Sequence, residues 1–183
     1  MVYVFLADGF EIIEALAPVD MLRRAKIDVK TVGVTGNTVK SSCGVEVNAD
    51  INFDEFCEED VEAVILPGGM PGTLNLEKSE KVQHAIDSAV ENNKLICAIC
   101  AAPSILGHKG LLQGKNAIAF PGFESELAGA EISDEFVVTD GKFITAKGAG
   151  VATEFGLEIV KQLKGVELSE SIRNTIQCQR KMN

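Results

Sequence analysis

Short apolar runs of strand length alternate along this chain with longer stretches in which apolar residues recur every three or four positions. Amphipathic segments placed between buried strands let the strands pair in parallel while helices cover both faces, so the alternation confines the chain to an α/β sandwich. Strands are read at 2–7, 29–34, 61–66 and 95–99 as the near-continuous apolar runs that buried parallel sheets use, with further strands near 115–119, 135–139 and 142–146. Helices are read at 11–25, 79–92, 101–109, 150–163 and 168–177. Gly141, between Asp140 and Lys142, marks a tight hairpin. The more polar stretch from Thr38 to Asp50 reads as a short pair of strands around Cys43-Gly44, an excursion from the main sheet. The loops beginning at Ala7, Pro67, Cys100 and Lys147 are then expected along one rim, because open parallel sheets bind ligands beyond the carboxyl ends of their strands.

No linker, repeat or low-complexity segment interrupts the pattern, and 183 residues with 46% hydrophobic content suffice for one core, so a single domain over 1–183 is expected. A formal net charge of −10 argues against nucleic acid or an anionic membrane as partner, since both require clustered Lys and Arg. No apolar run is long enough to span a bilayer, and Met1 to Gly9 lacks the basic start and small-residue cleavage site of a signal peptide. The five cysteines, at 43, 57, 97, 100 and 178, are odd in number and irregularly spaced, which suits free thiols in a reducing, cytoplasmic setting. His84 and His108 have no ligand spacing to a cysteine pair, so no metal is expected.

Within Leu95-Ile-Cys-Ala-Ile-Cys100-Ala-Ala-Pro103, an apolar strand stops at Cys100 and a helix follows. Such an elbow holds its corner side chain beside free backbone N–H groups and a helix N-terminus, which favour thiolate and can hold an oxyanion. Cys97, inside the strand, reads as packing on the opposite face from Cys100, and C-x-x-C redox pairing would require backbone rearrangement. Glu14 begins the first helix among Ala15, Leu16 and Ala17, apolar surroundings that raise a carboxyl pKa; Glu11, one turn earlier, reads as helix-dipole charge. Leu66-Pro67-Gly68-Gly69-Met70-Pro71-Gly72 lacks the Gly-Lys-Ser/Thr of a phosphate loop. Its glycines let the amides of Gly68 and Gly69 approach a small substrate and share an oxyanion with the amide of Ala101. Lys147-Gly148-Ala149-Gly150 fails as a dinucleotide fingerprint, because Thr153 stands at the third glycine position, and reads as a turn bordering the site. His84 reads as solvent-facing, and His108 lies two helical turns beyond Cys100, roughly 10 Å along the axis, so a Cys-His dyad is disfavoured.

Together these residues resemble the ThiJ/PfpI superfamily, most closely its DJ-one branch, that of the parkinsonism-associated protein deglycase. The resemblance rests on Asp8-Gly9-Phe10-Glu11-Ile-Ile-Glu14, Pro18-Val-Asp20 with Arg23-Arg24, Leu66-Pro-Gly-Gly69, Ala98-Ile-Cys100-Ala-Ala-Pro103, and Gly148-Ala-Gly150 before Glu154-Phe155. It implies a flavodoxin-like three-layer sandwich with a mostly parallel sheet, usually a homodimer. Cys100 would be the nucleophile, Glu14 the acid bonded to it, and Gly69 and Ala101 the oxyanion amides. Two departures stand out. The histidine often near the cysteine would fall close to Phe120, and Ala101 replaces the histidine that the protease-like branch carries after its nucleophile. The resulting expectation is a cofactor-independent enzyme acting on α-oxoaldehydes such as methylglyoxal or their early glycation adducts, with Phe120, Lys147 and Gly148 at the site rim. An oxidative-stress sensor or redox-regulated chaperone acting through Cys100 is the alternative, and a cysteine peptidase the weakest reading.

Overall fold

The structure, a computed structural model, describes residues 1–178; positions 179–183 of the expected single domain lie outside the described residues. The chain begins with β1 (Val2–Leu6), α1 (Ile12–Arg24) and β2 (Val29–Gly33), then a hairpin of β3 (Thr38–Lys40) and β4 (Glu46–Asn48), and β5 (Ile51–Asn52). It continues through β6 (Ala63–Leu66), α2 (Gly72–Lys78), α3 (Glu80–Glu91), β7 (Leu95–Ile99) and α4 (Pro103–His108). The remaining elements are β8 (Asn116–Ala117), β9 (Glu131–Ile132), β10 (Val137–Asp140), β11 (Phe143–Ala146), α5 (Ala152–Lys164) and α6 (Val166–Thr175).

Seven strands form one sheet in the order β10-β11-β7-β6-β1-β2-β5, parallel throughout except where β10 returns on β11. Period-two alternation sorts the strand side chains into two layers. Val2, Val4, Leu6, Cys97 and Ile99 join α1, α5 and α6 in one core cluster, whereas Tyr3, Phe5, Ile96 and Ala98 join α3 and α4 in the other. Each fully buried Leu, Ile or Phe contributes about 1.5–3 kcal/mol, so both helical layers are held by apolar burial. The topology reverses beside β1, whose neighbours are β2 and β6, and the loops leaving β1 and β6 border the crevice that results.

The expected strand near 115–119 is absent from the main sheet: β8 pairs instead with β9 in a separate two-stranded sheet. The Gly141 hairpin has already placed β10 on that edge of β11. Residues 100–102 form the elbow turn, and the helix expected from 101 starts at Pro103, whose missing N–H suits the first helical position. The sequence pattern missed α2, whose Gly72-Thr73 start has poor helix propensity and whose seven residues show no sustained period. α6 starts at Val166, earlier than expected, directly after Gly165 turns the chain with φ 93°.

Candidate active site

The expected loops meet at the crevice, joined by backbone bonds: the Glu11 amide donates to the Gly68 carbonyl at 2.9 Å, and the Cys100 amide to the Ala146 carbonyl at 2.9 Å. Cys100 itself is left-handed, with φ 66°, a conformation that costs a non-glycine residue about 1–3 kcal/mol. Bonds on both sides hold it there, since its carbonyl also accepts from the Phe120 amide at 2.8 Å. The turn swings the thiol out of strand alternation. Cys100 therefore packs against the same core cluster as Cys97, rather than on the opposite face expected from sequence. Cys97 is wholly buried, its thiol pushed upward by desolvation alone, and it has no access to a reactant.

Glu14 stands opposite. It is 1% exposed, in the first turn of α1, and its Oε2 accepts from the Gly68 amide at 2.9 Å. Burial raises its pKa to about 7, helped by the nearby Glu11 charge and opposed by hydrogen bonding to Cys100 and to the amides of Gly68 and Ala149. The amides of Ala101 and Gly69 donate toward the Cys100 sulfur. Their pull does not prevail in the resting site: burial, then the Glu14 charge and hydrogen bond, push the thiol up to about 12. The expected bias toward thiolate is thus reversed while Glu14 is ionised, because the elbow lies under the loops rather than in water. Carboxylate and thiol then share one proton, and either atom can hold it.

The Gly68 amide, expected to line the oxyanion pocket, is committed to Glu14 instead. A methyl at Gly68 would lie 2.6 Å from Glu14 Oε2 and 2.7 Å from Cys100 Cβ, so glycine is what allows acid and thiol to approach. Gly69, at φ 89°, supplies the second sulfur-directed amide, and a Cβ there would meet the Glu11 amide nitrogen at 2.4 Å.

Of the expected rim residues, Phe120 bonds the Cys100 carbonyl through its amide and Gly148 lies beside Glu14, while Lys147 lies next to Gly148 in the chain. All three line a hollow of about 360 Å³ together with Ala149 of the same expected turn and with Phe136 and Val151, which carry no signal in the sequence. Lys147 Nζ lies 5.4 Å from the Phe136 ring centroid, a cation–π contact at the mouth. Neither histidine approaches the thiol. His84 pairs with Glu58 at 3.0 Å, and His108 is held between Glu77 and Glu126, which raise its pKa. Among the described residues no cluster of His, Cys, Asp and Glu is arranged to hold a metal ion.

Residues 1–162 match the model of the DJ-1/PfpI family. The chain belongs to that family. It is 35% identical over 172 residues to protein dj-1beta of Drosophila melanogaster, covering 92% of each chain. Protein DJ-1 homolog B of Arabidopsis thaliana is 38% identical over 91% of this chain, which spans only 39% of that longer protein. A protein named deglycase PYRAB04690, from Pyrococcus abyssi, is 29% identical over 89% of this chain and 99% of its own. Among solved structures, Toxoplasma gondii DJ-1, oxidized, superposes with a TM-score of 0.91 at 32% identity, covering 96% of this chain and 97% of that one. The DJ-1 branch of the ThiJ/PfpI superfamily and its flavodoxin-like fold follow directly. No helix of the described residues is long and apolar enough to cross a membrane.

Proposed function

We propose that this DJ-1/PfpI protein is a cofactor-independent enzyme that converts α-oxoaldehydes, or their early glycation adducts, to hydroxy acids through Cys100 and Glu14. The observation that carries the reading is the buried Glu14 carboxyl, near pKa 7, facing an elbow thiol toward which two amides point. Ionised Glu14 takes the thiol proton as sulfur adds to the aldehyde carbon, and the carbonyl π electrons move to oxygen beside the amides of Gly69 and Ala101. Glu14 returns the proton to that oxygen, giving a hemithioacetal. It then takes the C–H proton of the former aldehyde carbon, whose electron pair forms an enediol double bond as the neighbouring carbonyl oxygen gains the hydroxyl proton, and returns the proton to the second carbon as the C=O of the thioester forms, an internal redox exchange that leaves a hydroxyacyl thioester. Water hydrolyses the thioester, releasing the hydroxy acid and regenerating the thiol. Methylglyoxal plus water becomes lactic acid, with no external oxidant or reductant. A relative from Pyrococcus abyssi named a deglycase is in keeping with carbonyl chemistry. Cys100→Ser is expected to remove turnover of methylglyoxal to lactate; turnover at the wild-type rate would overturn the reading.

The oxidation of Cys100 is a second reading, favoured by the same two amides and by the similarity to an oxidized DJ-1 structure. Two peroxide molecules would deliver two oxygens to sulfur and leave as two waters, and the sulfinate would accept from the Gly69 and Ala101 amides and from protonated Glu14. Intact-mass titration with peroxide tests this, with a gain of two oxygens on residue 100 expected and no gain there contradicting it. Peptidase chemistry lacks support, since both histidines are bound to carboxylates elsewhere.

A further inference from the structure

The hollow beside the Cys100–Glu14 pair has a composition that the chemistry of the pair does not require. Its walls are chiefly Phe120, Phe136, Val151 and the backbone of Gly148 and Ala149, and its volume of about 360 Å³ lies at the small end of ligand pockets, which run from about 300 to 1,000 Å³. Phe120 is 46% exposed and Phe136 57% exposed, so two aromatic rings present apolar surface to solvent at its rim. The backbone of each residue is anchored. The Phe120 amide is bonded to the Cys100 carbonyl, the Phe136 carbonyl accepts from the Lys147 amide at 3.0 Å, and the Lys147 ammonium rests over the Phe136 ring. Glu14 is not among the lining residues but lies just behind Gly148, which is. A methyl placed on Gly148 would be 3.2 Å from Phe120 Cδ2 and 3.9 Å from Glu14 Oε1, so only a glycine separates aromatic wall from carboxyl.

We propose that this hollow is the subsite for the substituent of the α-oxoaldehyde, and that it selects aryl or branched-alkyl substituents over the methyl group of methylglyoxal. The inference rests on the proposed role of Cys100 and Glu14. With the aldehyde carbon at sulfur and Glu14 between the two reacting carbons, the substituent on the second carbon projects past Glu14 toward Gly148 and the rings. A methyl group would leave most of the hollow to water, whereas an aromatic ring would be flanked by Phe120 and Phe136 and would displace it.

The ratio of kcat/KM for phenylglyoxal to that for methylglyoxal tests the subsite, and as a ratio it is independent of the folded fraction of each variant. The wild type is expected to favour phenylglyoxal at least tenfold, Phe136→Ala to lower the ratio at least tenfold, and Phe136→Leu, which keeps apolar bulk, to fall between. An unchanged ratio in Phe136→Ala would overturn the proposal. So would an unchanged ratio accompanied by a shift in the mass of the protein in solution, which would assign the rings to contact between copies. Failure of the subsite is separable from failure of the catalytic reading. If Cys100→Ser abolishes turnover of both aldehydes while the ratio ignores Phe136, only the subsite falls. If neither aldehyde is turned over, the catalytic reading falls, and binding of the products alone decides the subsite: mandelate must bind more tightly than lactate and lose that advantage in Phe136→Ala.

Discussion

Glu14 carries two pH effects that run in opposite directions. In the unfolded chain it ionises near 4.5, and in the folded one near 7, because burial penalises its charge. Between those values the native state holds a proton that the unfolded state has lost, so stability declines as pH rises through the window and is level on either side. The difference corresponds to about 3 kcal/mol. Glu14→Gln should abolish this slope, so urea midpoints of wild type and variant should diverge from pH 4.5 to 7 in favour of the variant. Activity should move the other way. Thiol with carboxylate and thiolate with carboxylic acid carry the same number of protons, so turnover should rise with pH through about 7, as the fully protonated pair loses its first proton. Glu14→Gln should lose that limb of the pH–rate profile along with about 10²–10⁴ in rate. A variant keeping the same limb would detach Glu14 from the proton transfers. The two residues were legible in sequence because an apolar run ending at a cysteine and a glutamate set among Ala and Leu are local signals. The resting charge was not, since the depth of the loops over Cys100 and the diversion of the Gly68 amide to Glu14 are properties of the assembled crevice.

Glu14 reaches the thiol only because α1 is held against the sheet by α5. Gly156 of α5 faces Pro18 of α1, where an added methyl would lie 2.8 Å from Pro18 Cα and about as close to the Met21 side chain, at 3.0 Å from its Cγ. Pro18 also removes the amide that would have bonded the Glu14 carbonyl one turn earlier, so α1 depends on packing more than an uninterrupted helix does. Gly156→Ala should therefore cost about 1–3 kcal/mol by overpacking and lower kcat/KM by displacing Glu14, a joint effect that denaturation and steady-state kinetics would record. Full stability with normal activity would mean that the contact relaxes at no cost. Elements with strong periodicity, α1, α3 and α5, were readable to within one or two residues. The short α2 was not, for want of period and propensity, and β8 was misplaced because occupancy of a sheet edge is settled by the β10–β11 hairpin, which propensity at 115–119 cannot register.

At the scale of the molecule, four of the nine exposed large apolar side chains among the described residues belong to segments that are bonded to one another. Ile13, Val45, Met70 and Leu74 are all well exposed, and each belongs to a segment tied to the loop after β1. The Gly9 amide donates to Lys40, the Ser42 amide to Phe10, the Glu11 amide to Gly68, and the Asn75 side chain to the Asp8 carbonyl. A patch drawn from α1, the β3–β4 hairpin and the β6–α2 loop suits a two-fold contact, in which the same surface serves both copies. A homodimer is accordingly expected, with a solution mass twice the 19.5 kDa of the chain. Charge supplies the sharper test, since each copy carries −10 and the copies repel one another at long range. Added salt should screen that repulsion and strengthen association, the reverse of a contact made by ion pairs. Ile13→Glu, which sets a carboxylate beside its symmetry mate, should move the mass toward that of one chain and leave a residual association that salt promotes. Sedimentation equilibrium at two ionic strengths measures both effects, and a variant that stays fully paired would place the interface elsewhere.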